Sequence, residues 1–150
     1  NSGEQLMEIK KYTTAAQAFE QAKIFTSDPD IYFQAGKCYE ISHHYLAAEA
    51  NYLMAQNIEP TRFQSRYCLM KLYILTGHRT EAFASAKTIL NLKPKISSKQ
   101  VQYYKYAAYK LLHTNGIEST IQTRSYSQQI KLPAISPIPA LIIHQPVTTN

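Results

Sequence analysis

Residues 30–60 read DIYFQAGKCYEISHHYLAAEANYLMAQNIEP, and the spacing within this stretch decides the fold. Tyr32, Ala35, Gly36 and Tyr39 recur at three- and four-residue intervals, which places them along one face of a helix. A polar turn at Ser42-His43-His44 follows. Ala48, Tyr52 and Ala55 then repeat the same spacing, and Pro60 closes the run. Small residues at Gly36, Ala48 and Ala55 let two antiparallel helices approach closely, while Tyr39 and Tyr52 fill the space around that contact.

The pattern recurs. A forward shift of 34 residues carries Tyr39 to Tyr73, Ala48 to Ala82, Ala55 to Ile89 and Pro60 to Pro94. A backward shift of 33 carries Gly36 to Gly3, Ala48 to Ala15, Tyr52 to Phe19 and Ala55 to Ala22. Met70 stands where Gly36 would map and Arg66 where Tyr32 would, so the third pair is expected to hold its helices slightly further apart. These residues resemble the tetratricopeptide repeat (TPR), a helix–turn–helix unit of about 34 residues. The resemblance implies an all-α fold: a right-handed superhelical stack of TPR hairpins over residues 1–116, about three repeats plus a C-terminal capping helix, with an extended tail over 117–150.

Composition agrees with a helical stack. The 150 residues are 45% apolar, enough for a substantial core. Twelve Tyr and no Trp suit half-buried helical positions where the ring packs and the hydroxyl reaches water. The net charge of +6 fits an acidic partner or plain solubility; the basic residues are spread along the chain without a Lys/Arg run, so nucleic acid is not expected. Cys38 and Cys68 form no C-x-x-C pair and read as buried small hydrophobes, with a disulfide between neighbouring first helices left open and the compartment undetermined.

Taken in order, residues 4–11 read as the remnant of a first helix, and Thr13 or Thr14 is expected to cap a second one through Phe25. Asp28 or Pro29 starts the next helix. Further helices are expected at about 30–42, 45–57, 61–76 and 80–92, with Gly77 terminating one of them. Ser97 or Ser98 caps a last helix to about His113, stopped at Asn115-Gly116 and closing the stack. The start, NSGEQLMEIKK, has no signal-peptide apolar run and no initiator Met, and it enters the pattern partway, which implies a piece of a longer chain. No stretch approaches the ~20 apolar residues of a membrane span, so a membrane link is expected only through an upstream region. The tail holds Pro133, Pro137, Pro139 and Pro146, which favour extended backbone. Its Ile130, Leu132, Ile135, Ile138, Leu141 and Ile142 predict docking on a helical surface or self-association with a second copy.

In stacked hairpins the first helices line the concave side. The repeat register then gives three columns of groove positions: Phe33, Tyr67 and Val101; Lys37, Lys71 and Lys105; Ile41, Leu75 and Tyr109. A ladder of ammonium groups between apolar columns suits an extended or helical segment carrying carboxylates. Peptide-binding TPR domains hold a C-terminal carboxylate with a Lys/Asn/Arg clamp, of which only the lysine column is present.

Chemistry is sparse. His43, His44 and His78 fall in turns, but metal sites need three or four ligands and no Cys or carboxylate completes the set. No G-x-S-x-G, G-x-x-x-x-G-K-[ST], H-E-x-x-H or G-x-G-x-x-G occurs. No catalytic residue, cofactor or metal is expected. The run from Tyr32 to His78, with Pro60-Thr61-Arg62-Phe63 and the Lys93–Ser97 segment, also resembles the C-terminal TPR segment of O-antigen ligase or polymerase-type membrane proteins of Bacteroides-like bacteria. That resemblance, over about residues 10–113, implies an accessory domain for surface-polysaccharide assembly that catalyses nothing itself. The expected function is a peptide- or protein-binding adaptor; the competing readings are a stabilising or oligomerising appendage of such an enzyme and a basic solenoid binding RNA.

Overall fold

A computed structural model describes residues 1–114; the expected Asn115-Gly116 stop and the 117–150 tail lie outside the described residues. Six α-helices follow one another: α1 (Ser2–Ala22), α2 (Pro29–Ile41), α3 (Tyr45–Ile58), α4 (Phe63–Leu75), α5 (Arg79–Asn91) and α6 (Lys99–Thr114). Each packs mainly on its sequence neighbours, and α4 also touches α6.

Local chemistry sets the boundaries. Asp28 caps α2 by accepting the Asp30 N–H, and Pro29 occupies the first helical position, where its missing N–H is harmless. Ser98 Oγ accepts the Val101 N–H at the start of α6. The α2–α3 and α4–α5 turns are built alike, 34 residues apart. His43 (φ 64°) and Gly77 (φ 81°) take the left-handed conformation after their helices. The next N–H in each turn reaches back 2.8 Å, from His44 to the Tyr39 carbonyl and from His78 to the Tyr73 carbonyl. Ser42 Oγ donates to the Cys38 carbonyl and Thr76 Oγ1 to that of Leu72. A tyrosine also ties each of α2 and α4 to the helix before it: Tyr39 donates to Glu20, near the end of α1, and Tyr73 to Glu49, near the start of α3.

Two apolar clusters fill the array. One joins α2 to α5 through Phe33, Tyr52, Leu69 and Leu72; the other joins α4 to α6 through Phe63, Tyr67, Met70, Ile89 and Leu112. Helix α4 contributes to both and buries eight of its thirteen residues. Cys38 and Cys68 are both buried and free.

One expectation is corrected, the break near Thr13: α1 is one continuous helix, so residues 4–11 form no separate first helix. No Gly or Pro interrupts residues 4–22, and the Thr13 and Thr14 hydroxyls bond back to the Ile9 and Lys10 carbonyls at 2.8 and 2.9 Å. The α4–α5 pair distributes its side chains differently from the α2–α3 pair. Met70 is fully buried where Gly36 stands in the preceding pair, but Ala86 replaces Tyr52 across from it, in the same cluster. The large side chain is thus on the first helix of this pair, and on the second helix of the preceding one.

At Gly36 the approach is closest: a Cβ there would lie 2.7 Å from the Tyr52 ring, which is itself fully buried. Gly36→Ala is therefore expected to cost about 1–3 kcal/mol in urea unfolding, since the ring has no free volume to enter. Gly77 meets nothing within 4 Å, so Gly77→Ala should cost only the left-handed backbone, about 1 kcal/mol. Equal stability of Gly36→Ala and the parent chain would refute the close packing of α2 on α3.

Candidate functional site

The starts of α2, α4 and α6 lie together at one end of the array. Arg62 pairs with Asp30, and Tyr67 packs on Tyr103 and Tyr104 with ring centroids 5.7 and 4.6 Å apart. These three helices carry all nine positions of the expected groove, with unequal outcomes. Phe33, Tyr67 and Tyr109 are buried, Ile41 and Val101 are half-buried, and Leu75 is 58% exposed. The outer columns thus belong largely to the core.

Lys37 and Lys71 are solvent-exposed and make no ion pair among the described residues. Each sits over the ring four residues earlier on its own helix: Lys37 over Phe33 at 6.0 Å and Lys71 over Tyr67 at 4.9 Å. Burial pushes the Cys68 thiol above its ordinary pKa, and the Lys37 and Lys71 charges oppose that shift. Beneath them the Tyr52 hydroxyl donates to Glu40 at 2.6 Å, and burial, the largest cause, pushes the phenol pKa up with help from this carboxylate.

Lys105 behaves differently. Val101, four residues before it, has no π-face, and the Lys105 ammonium lies 5.7 Å from the Phe63 ring. It donates to the Leu90 and Leu92 carbonyls, both at 2.8 Å. That position neutralises carbonyls left open at the end of α5, and burial lowers the Lys105 pKa. Its cation is committed to the fold.

The turn histidines each bond within their own turn: His43 to Tyr45, His44 to Ser42 and His78 to Thr76. Among the described residues no group of three or more metal-ligating side chains converges. A cleft of about 230 Å³ between α3, α4 and α5 is lined by Leu53, Arg66, Tyr73, Glu81 and Thr88 among others. Sequence spacing gave no sign of it, because its walls come from three helices. Arg66 is held by the Pro60 carbonyl through Nε and Nη2.

No protein-family model matches the chain, and no curated protein matches it in sequence.

Lys105→Met should lower stability by about 1–2 kcal/mol, because two carbonyls would be deprived of a charged donor. Lys37→Met and Lys71→Met should stay within about 0.5 kcal/mol of the parent, as expected of exposed side chains. Thermal melts of the three variants distinguish these roles; equal losses would show that Lys105 is as free as the others. Alkaline pH gives a second check. Burial, then the Glu49 hydrogen bond and charge, push the Tyr73 phenol up to about 12. A raised phenol contributes stability that is complete below pH ~10 and lost as pH rises through about 12. Unfolding followed by tyrosinate absorbance should therefore steepen in that window, and Tyr73→Phe should reduce the effect.

Proposed function

We propose that this protein is a non-catalytic scaffold whose array is a TPR-type stack, with the α2–α4 face taking an extended acidic segment of a partner protein. The observation that carries this reading is the pair Lys37 and Lys71: two exposed cations, each braced over an aromatic ring and lacking a carboxylate partner among the described residues. A carboxylate on a bound segment would supply that partner. Gln34 and Gln64, exposed on the same helices, offer hydrogen bonds to its backbone, and Leu75 offers an apolar rim. The matched turns 34 residues apart support the TPR assignment. A two-cation groove is narrower than the three-lysine ladder expected from the register.

Fluorescence anisotropy with a labelled peptide of alternating Glu and Leu tests this. Lys37→Glu/Lys71→Glu is expected to weaken binding by about a hundredfold, on the order of tenfold for each charge-assisted hydrogen bond removed. Lys87→Glu, on α5, should leave it unchanged. Equal affinity of the double variant and the parent chain would overturn the reading.

A further inference from the structure

Positive charge is concentrated in the last third of the described chain. Residues 1–81 contain eight Lys or Arg and nine Asp or Glu, whereas residues 82–114 contain six Lys and no acidic residue. The excess therefore sits on α5, α6 and the loop between them. Within that loop and at its edges Lys93, Lys95 and Lys99 are exposed, and Lys87 is exposed just before it on α5. Ile96, at the middle of the loop, is 78% exposed.

Because successive helices run antiparallel, this loop shares its end of the array with the α1–α2 and α3–α4 connections. Arg62 contacting Asp30 fixes that shared end for α2 and α4. The α1–α2 connection exposes Ile24 (70%) and Phe25 (86%) there. The acidic groups at this end lie on the other two connections, Asp30 and Glu59 around Arg62 and Asp28 capping α2 through the Asp30 N–H, and none is on the α5–α6 loop. The α5 carbonyls, the other source of negative potential, are occupied by Lys105.

We infer that this end of the array is a docking surface for an anionic lipid bilayer, with Lys93, Lys95 and Lys99 against the headgroups and Ile96 and Phe25 inserted between them. Lysines around protruding apolar tips gain from both halves of such an interface: phosphate outside, acyl chain inside. A nucleic-acid backbone would reward the lysines and leave Ile96 and Phe25 in water. A protein segment would need a concavity, and the cleft described above is lined by α3, α4 and α5 side chains instead of this loop. Surface association is the fitting mode, since no described helix is long and apolar enough to cross a membrane.

Co-sedimentation of the full chain with vesicles tests this, using phosphatidylcholine alone and phosphatidylcholine with about a third phosphatidylglycerol. Binding is expected only to the acidic vesicles. Lys93→Glu/Lys95→Glu should weaken it at least about 25-fold, roughly fivefold for each lysine replaced. Ile96→Ser should weaken it about tenfold by removing buried apolar surface. Lys10→Glu/Lys11→Glu changes net charge equally on α1 and should have a much smaller effect. The Lys93→Glu/Lys95→Glu chain should still bind the acidic peptide, which separates this surface from the groove. Equal weakening by the α1 variant, indifference to Ile96→Ser, absence of vesicle binding, or tighter binding to a single-stranded RNA 20-mer would each overturn the inference.

Discussion

The ring of Tyr52 lying on Gly36 is the contact on which the packing of the first complete helix pair depends. A helix pair with short connections needs one small surface wherever the other helix presents a large side chain, or the axes separate and the cluster behind them opens. Between α2 and α3 the small member is on the first helix; between α4 and α5 it is on the second, as Ala86 facing Met70's side of the cluster. Both solutions deliver a filled interior. The exchange also shapes α4, which packs on α3 as well as on α5 and α6. Its burial on nearly every face follows, and so does its weak amphipathic signal in the sequence. Among its residues, Lys71 is the cation left to solvent.

Tyrosine serves here where phenylalanine could not. Tyr39, Tyr52 and Tyr73 bury their rings wholly or in part between helices and end on Glu20, Glu40 and Glu49. Each hydroxyl places a directional bond at the edge of an otherwise non-directional apolar contact, fixing how one helix is set on the next. A second polar node ties the first three helices: Lys23 reaches Glu20 and the buried Asn51, and lies 4.9 Å from the Tyr32 ring. The array therefore uses few Gly and no Trp, yet holds a defined order of neighbours.

Helix identity and most boundaries were legible because their signals are local. Asp28-Pro29, Gly77 and Ser98 act within one turn of where they stand. The continuity of α1 was not, since a Thr hydroxyl serves equally as a cap for the following N–H or as a bond to the preceding carbonyl. Only the absence of a Gly or Pro nearby tips that choice. The expected groove positions recur in register but differ in role. Lys37, Lys71 and Lys105 occupy corresponding positions, yet the residue four before them is Phe, Tyr and then Val, and the third ammonium is seated on another helix's carbonyls. Charge segregation was present in the composition of residues 82–114, and becomes meaningful once the loop carrying it is seen to expose Ile96.

Position along the helices keeps the two cationic surfaces apart. Lys37 lies eight residues after Pro29, and Lys71 eight after Phe63, which sets each about 12 Å along its helix at 1.5 Å per residue. The Debye length at physiological salt is about 8 Å, so charges at the loop end and charges in the groove are largely screened from one another. A bilayer against Lys93, Lys95 and Lys99 would thus leave the potential at Lys37 and Lys71 nearly unchanged. Because the groove crosses the helices while the loop surface caps their ends, a segment held by the lysine pair would run alongside the lipid plane without contacting it. Occupancy of one proposed surface would then place little electrostatic demand on the other.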